Sequence, residues 1–129
     1  MKPLIDHQRP IYLQIAEQIE DDILKKRLPE EAQVPSTNQF AGHYQINPAT
    51  AAKGIHLLVE AGILYKKRGL GMFVAQGARS VIMTKRRQLF YEDYILPLWE
   101  EAKKLGLDSE ALVHMITHAE KEGRAGHDR

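Results

Sequence analysis

The chain has 129 residues, 43% of them hydrophobic, enough for one small domain with an appendage but not for two full-sized domains or a separate ligand-binding domain of ordinary size. It has no cysteine, which excludes disulfides and thiolate chemistry and fits a reducing cytoplasm. With 18 Lys and Arg against 17 Asp and Glu, the net charge of +1 gives no global argument for a nucleic-acid partner.

The opening MKPLIDHQRP carries no apolar run, and no segment approaches the roughly 18 consecutive apolar residues of a membrane span, so a cytoplasmic protein is expected. Pro10 suits the first turn of a helix in which Tyr12, Ile15, Ala16, Ile19 and Ile23 form an apolar stripe, ending near Arg27. Its polar side carries Glu17, Glu20, Asp21 and Asp22. Residues 28–32 read as a connector. Ser36 with Gln39 three residues later is a capping box, opening a short second helix with Phe40 and Ala41 inward, and residues 42–45 supply a turn.

Asn47 is a good N-cap and Pro48 suits the first helical position. Ala51, Ile55, Leu58 and Val59 then recur at helical spacing, and Gly62 is a stop in the left-handed conformation, so residues 47–61 are one amphipathic helix. Its outer face, with Asn47, Ala49, Thr50, Lys53 and His56, is small or hydrogen-bonding and can lie close to a partner. Gly54 sits mid-helix at a cost of about 1 kcal/mol, which close packing of the first helix on this one would explain. Ile63, Leu64 and Tyr65 read as a strand, residues 66–71 as a tight cationic turn closed by Gly69 and Gly71, and Met72, Phe73 and Val74 as the returning strand. Between Ala32 and Val74 four cations (Lys53, Lys66, Lys67, Arg68) face one anion (Glu60), so the basic surface is local.

The strand pattern stops at Gln76 and Gly77, and a helical pattern follows. Leu89, Phe90, Tyr94, Ile95, Leu98 and Trp99 form the richest apolar stripe, in which Pro97 is expected to kink or split the helix. Gly106 ends it, Asp108 or Ser109 caps the next helix, and Leu112, Val113, Met115 and Ile116 give that helix an apolar face. From about Lys121 a polar, frayed tail is expected. Two helices cannot bury so many large groups alone, and pairing with a second copy through Leu89, Phe90, Tyr94, Ile95, Leu98, Trp99, Leu112 and Ile116 is the expected solution. The expected fold is mainly α with a small β-hairpin wing: a winged helix-turn-helix over residues 1–76 and a short helical dimerisation segment over 77–129.

No catalytic constellation is present. Ser36 lacks the strand-turn-helix setting of an activated nucleophile, and residues 69–71 are no phosphate-binding loop because no helix follows them directly. His114 and His118, four apart, share a helix face as a metal pair does, with Glu110 or Glu122 as a third ligand. Nothing completes a coordination sphere, so solvated or interface histidines are favoured, and neither metal nor cofactor is expected. Phe90, Tyr91, Tyr94 and Trp99 fit a dimer core better than an effector pocket.

The pieces PIYLQIAEQI, VPST and INPATAAKGIHLLVEAGILYKKRGLGMFV together resemble the winged helix-turn-helix of the GntR family of bacterial transcription regulators. The short helical C-terminal part, with FYEDYILPLWEEAKKLGL, resembles the YtrA-type subfamily, and the resemblance spans about residues 9–116. It implies a homodimer binding double-stranded DNA at a palindromic operator, usually as a repressor, with its own operon and neighbouring ABC transporter genes as targets. By position, Ser36, Thr37 and Asn38 sit where the family's second helix meets the DNA backbone. Asn47, Pro48, Ala49, Thr50 and Lys53 occupy the exposed start of the recognition helix. Lys66, Lys67 and Arg68 charge the wing, and Arg68, Gly69 and Gly71 form its minor-groove tip. Many relatives carry arginine where this chain has Asn38 and Pro48, which leaves Asn47, Thr50 and Lys53 as candidates for base readout. The alternatives are a winged-helix protein-interaction module that never touches DNA and a metal-sensing repressor using His114 and His118.

Overall fold

The computed structural model describes residues 8–127 and divides into two compact units between Arg86 and Arg87. The opening stretch before Gln8 and the last two residues of the tail lie outside the described residues.

In the first unit, α1 (Ile11–Leu24) buries Ile15, Ala16, Ile19 and Ile23, the stripe expected from spacing, with Tyr12 half-buried at its edge. α1 stops three residues short of Arg27. Lys26 adopts φ 63°, and the Arg27 amide folds back onto the Asp22 carbonyl at 2.8 Å, closing the helix with a non-glycine residue in the left-handed region. α2 (Thr37–Tyr44) opens on the capping box: the Ser36 hydroxyl accepts from the Gln39 amide at 3.2 Å, and the Gln39 side chain accepts from the Ser36 amide at 2.7 Å. α3 (Pro48–Glu60) starts at Asn47, whose side-chain oxygen accepts from the Ala49 amide at 2.8 Å. It ends at Gly62, φ 77°, where the Ile63 amide reaches back to the Leu58 carbonyl at 2.9 Å.

β1 (Leu64–Lys67) and β2 (Gly71–Val74) form the hairpin, antiparallel with Leu64 opposite Val74 and Lys67 opposite Gly71. The loop is therefore only three residues, and Lys66 and Lys67 belong to the strand rather than to the turn expected over residues 66–71. The connector also does more than link. The Glu31 and Val34 amides donate to the Val74 and Met72 carbonyls, and the Val74 amide donates to Ala32, so residues 31–34 line β2 as a third strand-like edge. The Tyr65 hydroxyl donates to the Glu31 carboxylate across this edge, and that hydrogen bond holds the phenol above its ordinary pKa.

α4 (Ala78–Phe90) begins inside the first unit, which extends beyond the boundary expected between Gln76 and Gly77. Gly77 is a tight turn at φ 82° whose amide donates to the Glu30 carboxylate at 2.7 Å, and Ala78 and Ile82 are fully buried in the core with Ile19, Leu58, Ile63, Leu64 and Val74. Glu20, expected on the polar side of α1, is buried as well. Its carboxylate accepts from Arg86 at 3.1 Å and from Lys85, while Arg86 also donates to Asp21 at 2.7 Å. Burial works against the Arg86 charge, but the hydrogen bonds to Asp21 and Glu20 outweigh it and hold the guanidinium above its ordinary pKa.

The second unit continues α4 through a π-helical stretch, Tyr91–Ile95, into α5 (Leu96–Lys104), followed by α6 (Ser109–His127). Pro97 does not split the helix. The Leu96 amide bonds to the Tyr91 carbonyl, five residues back, and this π-type spacing next to Pro97 lets the chain absorb a residue that has no amide to donate. Gly106 (φ 71°) ends α5, and the Asp108 carboxylate caps α6 by accepting from the Ala111 amide at 2.9 Å. α6 stays helical to His127, where a frayed tail was expected from Lys121. Phe90, Tyr94 and Ile116 are 54%, 64% and 60% exposed, Leu89, Leu98 and Trp99 are also exposed, and Ile95 and Leu112 are half-buried. A single copy therefore leaves the stripe largely uncovered.

Candidate nucleic-acid interface

The first turn of α2, the outer face of α3 and one face of the hairpin border two adjoining grooves. One, of about 330 Å³, is lined by Gln33, Ser36, Thr37, Asn38, Lys66 and Met72 among others. The other, of about 430 Å³, is lined by Thr37, Ala49, Ala52, Lys53, His56 and Met72 among others. Thr37 and Met72 belong to both, so Ser36, Thr37 and Asn38 share one continuous surface with Ala49 and Lys53 of α3, whereas Asn47 and Thr50 line neither groove.

Capping limits what two of these side chains can still do. The Ser36 hydroxyl oxygen accepts the Gln39 amide, which leaves its proton to donate to an anionic oxygen. Asn47 spends its carbonyl oxygen on the Ala49 amide and keeps its NH₂ group. Bidentate reading of adenine needs both halves of an asparagine amide, so a base would have to share the Asn47 oxygen with the Ala49 amide. Pro48 and Ala49 are exposed and Thr50 is half-buried. The Lys53 ammonium lies over the Tyr12 ring, 4.1 Å from its centroid, steered by the negative face of the ring.

The hairpin sorts its cations by the period of two in a strand. Lys66, opposite Met72, lines the first groove. Lys67 points the other way, its ammonium 4.5 Å from the Phe73 centroid, beside a Phe73–Tyr65 ring pair 6.1 Å apart. Arg68 and Gly69 are exposed at the tip, with Gly69 at φ 79° and Gly71 at φ 113°. Gln33 and Met72 were not singled out from the sequence. Gln33 lay beside the stretch read as a connector, and Met72 is apolar, so neither carried a polar-motif signal.

Among the described residues no group of three or more His, Cys, Asp or Glu side chains is placed to hold a metal ion. His118 instead pairs with Glu122 at 3.1 Å, one turn on, and His114 is exposed. Among those residues, too, no helix is long and apolar enough to cross a membrane.

The sequence pattern described as bacterial regulatory proteins, gntR family, matches residues 11–74, from α1 through the hairpin. The chain is 30% identical over 108 residues to the HTH-type transcriptional regulator YhcF of Bacillus subtilis (strain 168), covering 84% of this chain and 88% of that one. It is 26% identical over 117 residues to the HTH-type transcriptional repressor YtrA of the same organism, covering 91% and 89%. A solved GntR-family regulator from Bacteroides thetaiotaomicron superposes with a TM-score of 0.77 at 31% identity, over 88% of this chain and 98% of that one. These relatives are transcriptional regulators and not enzymes. The chain thus belongs to the GntR family of bacterial transcriptional regulators, is of the YtrA type, and carries that family's DNA-binding helix-turn-helix.

Proposed function

We propose that the protein acts in the cytoplasm as a homodimeric repressor of a near-palindromic operator, controlling its own operon and neighbouring ABC transporter genes. The observation that carries the reading is the shared surface on which the start of α2, the outer face of α3 and Lys66 of the hairpin meet around Thr37 and Met72. A recognition helix enters the major groove with its N-terminal residues against base edges, and a dimer presents two such helices about 34 Å apart. Here Asn47, Thr50 and Lys53 read bases. Ser36, Thr37 and Asn38 position the backbone, and the wing cations with Gly69 and Gly71 follow the minor groove.

The local basic surface is small, so a doubled footprint supplies the affinity that one copy lacks. The uncovered stripe of Leu89, Phe90, Tyr94, Leu98 and Trp99 supports pairing with a second copy, with Ile95, Leu112 and Ile116 beside it. Repression is supported by the likeness to the Bacillus subtilis repressor YtrA. Gel-shift titration of the promoter of the protein's own operon at two salt concentrations, with sedimentation equilibrium of the free protein, tests the reading. Salt-sensitive binding of one dimer per operator is expected. Binding that ignores salt, or a monomer at micromolar concentration, would overturn it.

A further inference from the structure

The wing tip is the part of the reading surface with the least support of its own. Its loop is three residues long, it contains Gly69 and is followed by Gly71, both at positive φ, and its central turn rests on one hydrogen bond from the Leu70 amide to the Lys67 carbonyl at 2.9 Å. Residues that must be ordered when DNA arrives cost affinity, and a tip held beforehand does not.

One side chain from outside the hairpin holds it. The Gln33 Nε2 donates to the Leu70 carbonyl at 2.7 Å, across 37 residues of sequence. The same amide lies against Gly71, where an added Cβ would stand 2.9 Å from Gln33 Nε2. Gln33 is itself fixed, because it bridges to Phe73, and its neighbour Val34 donates to Met72 at 2.9 Å. Three residues after Gln33 comes Ser36, the cap of α2, and Gln33 lines the groove shared by residues 36–39 and Lys66.

We propose that Gln33 is the positioning residue of the wing, setting the distance between the wing tip and the first turn of α2 before DNA binds. The proposal rests on the DNA-binding reading of the wing and adds a residue that acts through Leu70 and Gly71. Methionine has the length of glutamine and lacks the donor, so Gln33→Met removes the clamp with little change in shape.

The test combines hydrogen exchange of the free protein, its unfolding midpoint and fluorescence-anisotropy titration of a duplex from the protein's own promoter. In Gln33→Met the Leu70 amide exchanges faster, the midpoint falls by no more than one lost hydrogen bond accounts for, and affinity falls about three- to tenfold, the worth of that same bond. The loss from Arg68→Ala is then smaller in the Gln33→Met background than in the wild type, a coupling that a general loss of stability does not produce. Wild-type affinity in Gln33→Met, or an undiminished Arg68→Ala effect in its background, would overturn the proposal. A wild-type chain that bound no promoter duplex would instead sink the DNA reading and the positioning role with it. That failure is visible before any variant is made.

Discussion

Gly54 of α3 lies so close to Tyr12 of α1 that a Cβ added to it would stand 2.6 Å from the Tyr12 carbonyl oxygen and 3.2 Å from the Ile15 Cβ. The contact sets how deeply the first helix seats on the recognition helix. It also brings the Tyr12 ring under the neighbouring Lys53.

Gly54→Ala should gain about 1 kcal/mol of helix propensity. Overpacking against a backbone oxygen that cannot rotate away should cost about 3 kcal/mol, leaving a net loss. Urea denaturation followed by circular dichroism measures the difference. A midpoint above that of the wild type would show that the helices can separate freely.

Lys53 and Arg68 should fail in different ways. Lys53→Ala should change which base is preferred at one operator position by about 1–3 kcal/mol. Arg68→Ala should weaken all sequences alike and lower the salt slope by about 1. Titration of a small panel of operator variants at several salt concentrations separates the two patterns.

Lys66 and Lys67 are adjacent in sequence but face opposite sides of the hairpin. Lys66→Ala should therefore cost more DNA affinity than Lys67→Ala. The larger effect of Lys67→Ala should be on hairpin stability, since its ammonium lies over Phe73. Equal losses of affinity in anisotropy titrations would contradict the division.

Arg86→Met leaves the buried Glu20 carboxylate with Lys85 alone and should cost about 2 kcal/mol, less than a fully buried pair because Arg86 keeps some solvent contact. The folded-state pKa of Arg86 is raised, so its contribution is complete below the unfolded-state value and is lost only as pH rises through the folded value, above the ordinary guanidinium range. The wild-type minus Arg86→Met difference in unfolding free energy should accordingly stay flat from about pH 6 to about pH 9, well below the range in which the guanidinium loses its proton.

Features set by neighbours in sequence were legible from residue order alone. The Ser36 and Gln39 box, the Asn47 cap, the stop at Gly62 and the close approach at Gly54 all follow from chemistry within a few residues or from the absence of a side chain. Features set by distant partners were not. Residues 31–34 are too short, between Pro29 and Pro35, to show strand alternation, and only pairing with β2 makes them an edge. Glu20 looked like one solvated acid among four, and its partner Arg86 is 66 residues away. In the candidate site, residue types singled out Ser36, Thr37, Asn38, Lys53 and Lys66, which line the two grooves, but the opposite facing of Lys66 and Lys67 depended on where β1 ends.

The uncovered stripe of α4, the π-helical stretch and α5 has a consequence for dosage. If two copies must meet through it before an operator is held, occupancy rises with roughly the square of protein concentration at low abundance. A burst of synthesis would then raise promoter occupancy more than in proportion to the added protein. A gene circuit in which the protein represses its own operon would read its copy number through Phe90, Tyr94 and Trp99.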